Sequence, residues 1–233
     1  MPRQPKPSLV LVLVGVLAAL ITAPGAFAAP SSAGSAQATA GAKSFTFQVT
    51  IRNLGRADLT SVVYAVHNKS ARLFRIGKKA SAGLSALAED GATSRLLAEA
   101  RRKRGVGQAD VGPRIPPRKS ASFRITTTTK HLRLSWGSMQ VCSNDSFAGQ
   151  SAARLPAKKV GARKVVRLRA LDAGTERNTE SGNDVPCLGA HNVGPSESEV
   201  VRRSPGIKDI ADLNNASQGW GRFLARVTIK RVA

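Results

Sequence analysis

Acidic residues, aromatic residues, histidine and cysteine are all scarce in this chain of 233 residues. Aromatic side chains make up 4% of the sequence, whereas proteins that bind single-stranded nucleic acid stack the bases on exposed aromatic rings. This scarcity argues against nucleic acid as a partner. His67, His131 and His191 lack the spacing of metal ligands, which excludes a zinc site of the zinc-finger or zinc-protease type.

The sequence also lacks the short motifs that identify common enzyme classes. It contains no nucleophile elbow, no zinc-protease helix motif and no phosphate-binding loop. One enzymatic alternative is a hydrolase that uses Asp145 and Asp172 as a paired acid and base. Because no supporting motif accompanies this pair, the sequence favours a protein that is not an enzyme.

Only one long apolar run occurs, and it lies at the N-terminus. Arg3 and Lys6 precede an uncharged apolar run at residues 9–21, and Ala26-Phe27-Ala28 offers a cleavage site. A membrane anchor is the alternative, but it needs roughly 18 or more apolar residues. We therefore predict that residues 1–28 are a signal peptide and that the protein is secreted.

The rest of the chain is predicted to be a flexible linker followed by one domain. Residues 29–43 are mostly small and uncharged, which is typical of a linker, and residues 44–233 have a length that suits a single core. Without the two basic residues of the signal peptide, the 36 Lys and Arg become 34, and the 14 acidic residues leave a net charge of +20. This charge favours an anionic glycan, lipid or cell-wall polymer as partner.

The densest basic run supplies a candidate polyanion-binding site, but it also has a purely structural explanation. The run ends a segment, residues 81–105, with apolar residues at helical spacing, and Gly91 is expected to divide it into two short helices, the second capped by Thr93 or Ser94. Basic side chains in the last turn of a helix also interact favourably with the helix dipole. The candidate residues are Arg101, Arg102, Lys103 and Arg104.

Alternating apolar and polar residues predict a domain built mainly from β-strands. In residues 44–54, Phe45, Phe47, Val49 and Ile51 share one face, which indicates a half-buried antiparallel strand. Many strands with few helices predict an all-β sandwich whose functional groups lie in the loops. Six strands are predicted, at residues 44–54, 60–68, 119–128, 131–142, 163–171 and 222–232.

The two cysteines, Cys142 and Cys187, are predicted to form a disulfide. Exported proteins commonly carry disulfides, and no histidine is spaced to share a metal with these thiols. A free nucleophile and a metal thiolate are the alternatives. A bridge between Cys142 and Cys187 would restrain the loop that carries Asp145.

Three loop motifs give the chain a resemblance to a known family. "SNDSFAG" at residues 143–149 and "DAGTE" at residues 172–176 occur together, and "SPGIKDIADLN" at residues 204–214 precedes the last predicted strand. This pattern resembles the spondin domain, which F-spondin, mindin and many exported bacterial proteins share. The resemblance covers residues 45–232 and implies a C2-like antiparallel β-sandwich. It also implies a binding or adhesion module, secreted by a bacterium or displayed at its cell surface, rather than an enzyme.

The same resemblance implies a calcium site made by three carboxylates. Asp145 and Asp172 match two of them, and the third falls on Thr126, which has no carboxylate. Glu176 is a candidate substitute, and backbone carbonyls near Thr126 and Gly174 would complete the oxygen shell that calcium requires.

Two alternatives to a metal-binding adhesion module are left open. In one, no metal binds, and Asp172 and Thr175 cap their own turn through side-chain hydrogen bonds to the backbone. In the other, the protein is a structural component of the cell surface with no specific ligand.

Overall fold

The computed structural model describes residues 43–189 and 194–233. The predicted signal peptide and nearly all of the predicted linker lie outside these residues. The described part of the chain forms two antiparallel β-sheets and a few short helices. Its strands are β1 (Ser44–Asn53), β2 (Val63–His67), β3 (Val106–Val111), β4 (Ser120–Thr128), β5 (Arg133–Met139), β6 (Ser146–Arg154), β7 (Arg163–Leu168), β8 (Leu171–Asp172), β9 (Arg202–Arg203) and β10 (Ala225–Arg231).

One sheet has four strands in the order β4-β1-β10-β7. Its strands alternate between buried and exposed residues, because one face packs on the core and the other faces solvent. Val49 of β1 pairs with Ile229 of β10 on one side and with Phe123 of β4 on the other. The inward side chains of β1 and β10 thereby form one wall of the main core.

The other sheet has six strands in the order β3-β2-β5-β6-β8-β9. All five residues of β2 are buried, because the sandwich core covers one face of this strand and two helices cover the other. Trp136 of β5 is fully buried in the main core, and Phe147 of β6 is fully buried in the second core beneath the helices. The six-stranded sheet is therefore the middle layer of the domain.

The two helices that cover this sheet are α1 (Ala82–Asp90) and α2 (Ser94–Arg102). Gly91 has φ of 68° and ends α1, which confirms the predicted break, because this left-handed conformation favours glycine. Thr93 occupies the N-cap position of α2 but makes no side-chain cap hydrogen bond. Glu99 joins the two helices, since it accepts hydrogen bonds from Ser81 Oγ at 2.6 Å and Gly83 N at 2.7 Å.

The predicted all-β sandwich is confirmed, and each predicted segment contains a strand of the structure. Sequence patterns missed β3, β6, β8 and β9. The sequence of β6 is "SFAGQSAAR", which is rich in small residues and lacks the β-branched side chains that favour strands. Because β6 begins at Ser146, part of the predicted "SNDSFAG" loop is in fact a strand.

Candidate metal centre

Pairing between β6 and β8 brings together two carboxylates that are distant in sequence. Ser146, the first residue of β6, lies opposite Asp172, the last residue of β8. Asp145 directly precedes Ser146, and its carboxylate has an oxygen within 4.8 Å of one from Asp172. Both aspartates have only 2% of their surface exposed.

The turn after β8 is shaped by the side chain of Asp172. Its Oδ1 accepts a hydrogen bond from Gly174 N at 2.9 Å, which is the Asx-type cap that the metal-free alternative assigned to Asp172. Gly174 has φ of 72°, and a Cβ atom at this position would lie 2.8 Å from the carbonyl oxygen of Val200. Glycine is therefore required here both by the backbone conformation and by the close approach of the neighbouring segment.

Asp145 holds this turn from the opposite side. Its Oδ2 accepts hydrogen bonds from Thr175 N at 2.8 Å and Glu176 N at 3.2 Å, and Thr175 Oγ1 lies 3.3 Å away. The backbone carbonyl of Asp145 also accepts a hydrogen bond from Ala173 N. Thr175 thus binds the carboxylate of Asp145 rather than capping its own turn.

A third carboxylate, that of Glu197, completes the group. Asp145, Asp172 and Glu197 each offer an oxygen that lies within 4.8 Å of the others. Glu197 reaches this position because its backbone N–H donates to the carbonyl of Thr175 at 2.9 Å. No sequence pattern predicted Glu197, because its segment lies outside regular strands and helices and has no periodicity. The acidic "ESE" at residues 197–199 was the available signal.

Glu176, the residue predicted as the third carboxylate, is placed differently. It is 5% exposed, and its Oε1 accepts a hydrogen bond from Gly194 N at 2.9 Å. It lies outside the group formed by Asp145, Asp172 and Glu197. Thr126 is an exposed residue of β4 in the four-stranded sheet, where its Oγ1 lies 3.2 Å from Thr46 Oγ1.

Among the described residues, the cation that contacts the carboxylate group is Arg202. Its Nε lies 3.5 Å from Asp172 Oδ1, and its Nη2 lies 2.6 Å from Glu197 Oε1. Arg202 also reaches the exposed carboxylate of Glu199 at 3.5 Å. Within the part of the chain that the structure describes, one guanidinium thus faces several carboxylates, and these residues together have a net negative charge when the carboxylates are ionised.

Burial and mutual repulsion disfavour ionisation of these carboxyl groups. Burial raises the pKa of Asp145 above its ordinary value. Burial, followed by repulsion from Asp145, raises the pKa of Asp172 to about 7. Burial is also the main cause that raises the pKa of Glu176 to about 7. A bound divalent cation would relieve this repulsion, because it favours the ionised form of each ligand.

The chemistry of the donor set fits a hard cation. Carboxylate and carbonyl oxygens are the ligands preferred by calcium and magnesium, and the group contains neither a thiolate nor an imidazole. In the described part of the chain, one oxygen of each carboxylate accepts no hydrogen bond: Asp145 Oδ1, Asp172 Oδ2 and Glu197 Oε2. Each carboxylate therefore keeps an oxygen that is free to coordinate an ion.

A disulfide restrains the loop that leads into the site. Cys142 and Cys187 are bridged, with their Cα atoms 5.1 Å apart, and the predicted pairing is confirmed. Val185, Ile207 and Leu213 pack around this bridge in a small apolar cluster. The loop that carries Asp145 is therefore tied to a distant segment of the chain.

The predicted polyanion site lies away from these loops, at the C-terminal end of α2. Its four basic side chains are exposed. Arg101 Nη2 lies 3.7 Å from a carboxylate oxygen of Asp110, and Lys103 Nζ donates to the carbonyl of Arg72 at 2.9 Å. Part of this basic run is thus engaged within the protein.

Fold and site together define an all-β sandwich module whose loops bring together three carboxylates that could hold a cation. Asp145, Asp172 and Glu197 line none of the five best-formed surface pockets that we compared among the described residues. None of the helices in residues 43–189 and 194–233 is long and apolar enough to cross a membrane.

Comparison with known families identifies this module more closely. The Spondin_N family model matches residues 45–196, and the chain belongs to this family. Spondin_N domains are extracellular modules of the binding or adhesion type and are not enzymes. A search of curated proteins gives no match.

Proposed function

We propose that this protein is a secreted binding or adhesion module of the bacterial cell surface, with a structural calcium ion in its loop site. The observation that carries the proposal is the convergence of Asp145, Asp172 and Glu197 within 4.8 Å. These residues come from three separate segments of the chain, which do not belong to one helix or strand. A calcium ion would join the segments and stiffen the loop surface that a partner meets.

The site is expected to bind calcium weakly. Extracellular calcium modules have dissociation constants of roughly 10⁻⁴–10⁻³ M, and Arg202 already neutralises part of the carboxylate charge. The large positive charge of the chain also opposes the approach of a cation. Millimolar calcium is therefore the concentration range in which the site would fill.

Thermal unfolding in calcium and in chelator tests the site. With 10 mM calcium, the melting temperature of the unmodified protein should rise by about 5 °C over that in chelator, because ligand at 10–100 times its Kd stabilises by roughly 1.4–2.7 kcal/mol. Asp145→Asn, Asp172→Asn and Glu197→Gln should each abolish this rise. Identical melting in calcium and chelator would show that the loops bind no calcium.

Two carboxylate variants serve as controls and identify the third ligand. Glu199→Gln removes a carboxylate that contacts Arg202 but lies outside the group, so it should keep the calcium response. Glu176→Gln tests the ligand predicted from the sequence against Glu197. If only Glu176→Gln removes the response, Glu176 is the third carboxylate and Glu197 is not.

We also propose that the module binds anionic polymers outside the cell. The support is its charge of +20 without the predicted signal peptide, since charge of this size attracts polyanions and makes their binding depend on salt. The protein should be retained on immobilised heparin at 50 mM salt and released well below 1 M salt. Absence of retention at 50 mM salt would contradict this part of the proposal.

A further inference from the structure

The outer face of the four-stranded sheet is strongly basic. Side chains alternate between the two faces of a strand, so the residues that do not enter the core form a solvent-exposed surface. Among the described residues of that outer surface, none is acidic. We call its exposed basic side chains the cationic sheet face: Arg52, Arg124, Arg163, Arg167, Arg226 and Lys230.

Strand register places three of these charges side by side. Arg226 of β10 lies directly opposite Arg52 of β1 and, on its other side, directly opposite Arg167 of β7. Neighbouring strands are about 4.8 Å apart, so this first row places three guanidinium groups across roughly 10 Å of sheet.

A second row repeats the arrangement four residues further along the strands. Lys230 lies opposite Arg163 on one side and Gln48 on the other, and Gln48 in turn pairs with Arg124. At about 3.4 Å per residue, the second row lies roughly 13 Å from the first.

The cationic sheet face has no partner within the described protein. None of its six side chains forms an ion pair or a side-chain hydrogen bond with a described residue. Like charges directly opposite each other on neighbouring strands destabilise a sheet, and the pairs Arg52–Arg226, Arg226–Arg167 and Lys230–Arg163 are of this kind. An anionic ligand would relieve the repulsion.

Hydroxyl groups fill the space between the two basic rows. Thr50 lies opposite Ser122 on β4 and opposite Thr228 on β10, and its Oγ1 lies 2.7 Å from Ser122 Oγ. Val165 completes this middle row on β7. The surface between the charges is therefore suited to hydrogen bonds with a polar ligand.

The first row continues into an arginine-lined pocket at the end of the sheet. Arg167 and Arg226 line this pocket together with Arg56 and Arg118. Arg118 has φ of 60°, which is uncommon for a residue other than glycine. A chain-like anion that lies along the first row would therefore meet further guanidinium groups beyond the strand.

We propose that the cationic sheet face binds an acidic polysaccharide, with its sulfate or carboxylate groups on the two basic rows and its hydroxyls on the row between them. This inference rests on the proposed binding of anionic polymers and assigns it to a surface. Five of the six cations are arginine, whose planar fork matches sulfate and carboxylate groups through paired hydrogen bonds.

Nucleic acid fits this surface less well. Single strands bind where bases can stack on exposed aromatic rings, and the outward residues of β1, β4, β7 and β10 include no aromatic residue in the described chain. Duplex DNA is read by elements that enter its grooves, whereas a sheet face offers no protruding helix or ribbon. An acidic polysaccharide needs neither feature.

Heparin binding by matched triple variants tests the assignment. In the full chain, R52S/R167S/R226S removes the first row, and R101S/R102S/R104S removes the same number of exposed charges from the end of α2. The first variant should bind heparin roughly 100-fold more weakly at 0.1 M salt. The slope of log K against log salt should become shallower by about 2, because each lost contact reduces it by ~0.7. The control should lose less than about threefold.

Each possible result has a definite meaning. If the unmodified protein fails to bind heparin at low salt, the proposed polyanion binding itself is wrong. If it binds and the two variants weaken binding equally, or the control weakens it more, the sheet face is not the site. Tighter binding to duplex DNA than to heparin at equal ionic strength would replace polysaccharide by nucleic acid as the ligand class.

Two further measurements separate loss of binding from loss of structure. The first-row variant should melt no lower than the unmodified protein, because it removes two opposed like-charge pairs. R124S/R163S/K230S removes the second row through different residues and should also weaken heparin binding by at least tenfold. If this folded variant binds normally, the two-row arrangement is wrong.

Discussion

Glu180 organises the segment between the candidate metal centre and β10. It is fully buried, and its carboxylate accepts hydrogen bonds from Lys208 N at 2.6 Å and Ile210 N at 3.1 Å. Its backbone carbonyl accepts two more, from Asp212 N and Leu213 N. The residue has φ of 57°, so a strained backbone is held in place by this network of hydrogen bonds.

Truncation of Glu180 should therefore be costly. Glu180→Ala leaves two backbone N–H groups without their acceptor, and we expect a loss of about 2–4 kcal/mol in the free energy of unfolding, measured with urea. Glu199→Ala, at an exposed carboxylate, should change it by no more than about 0.5 kcal/mol. Equal effects of the two substitutions would show that the buried network contributes little.

His67 should make the stability depend on pH. Its Nδ1 lies 2.7 Å from the carbonyl of Asn68 and its Nε2 lies 2.8 Å from Ser135 Oγ. Burial lowers its pKa below the ordinary 6.5, and the positive charges of Arg72 and Arg133 act in the same direction, against the bond to Asn68. The unfolded chain therefore takes up a proton at a higher pH than the folded protein does.

The sign of this effect follows from proton binding. As the pH falls below about 6.5, the unfolded state binds a proton that folded His67 does not, and the free energy of unfolding decreases towards the folded pKa. Urea unfolding between pH 7.5 and 5.5 should show this decrease relative to His67→Gln, which cannot titrate. Parallel pH profiles of the two proteins would exclude His67 as the cause.

At the scale of elements, the strands that could be predicted are those that face solvent on one side. β1 and β10 alternate clearly because one face meets water and the other meets the core. β6 lies between β5 and β8 and is made largely of small residues, so its sequence gives little indication that it is a strand of the sheet. The strands β8 and β9 have only two residues each, and they are recognised as strands by their pairing with neighbouring strands.

In the candidate metal centre, too, only residues that lie in a recognisable sequence motif could be predicted. Asp145 and Asp172 could be predicted because each belongs to a motif that resembles a known family, and both lie in the observed group. Glu197 belongs to no motif, and its position depends on a backbone hydrogen bond to Thr175 across the fold. A contact of that kind cannot be predicted from local sequence.

The disulfide should stabilise both the domain and the calcium site. It closes a loop with a sequence separation of 45 residues, which corresponds to about 4 kcal/mol if the effect is mainly on the unfolded chain. The double variant C142S/C187S should lose much of this stability in urea unfolding, and it should bind calcium more weakly because the loop before Asp145 is released.

A thiol titration provides the control for that experiment. The denatured, unreduced protein should contain no free thiol, in agreement with the bridge. Two free thiols would show that the purified protein lacks the disulfide. Unchanged stability in C142S/C187S would show that packing of Val185 and Leu213 alone holds this region.

For the whole molecule, charge is the dominant property. The chain has a formal net charge of +22, and the cationic sheet face places several of these charges opposite one another. Self-repulsion of this kind destabilises the folded state, and salt screens it.

Stability should consequently rise with salt. Between 20 mM and 500 mM NaCl we expect the melting temperature of the metal-free protein to increase by about 3–5 °C. R52S/R167S/R226S should start higher and rise less. A melting temperature that is flat or falls with salt would show that the opposed charges on the sheet cost little.

The position of β10 has a consequence for how the protein reaches its fold. This strand lies between β1 and β7. Its Thr228 pairs with Thr50, which lies 178 positions earlier in the chain. During synthesis, β1 and β7 therefore have no partner on these edges until nearly the entire domain has left the ribosome. Long-range pairing of this kind is slow, and unpaired strand edges promote aggregation. The nascent chain should depend on chaperones for as long as its last strand is missing.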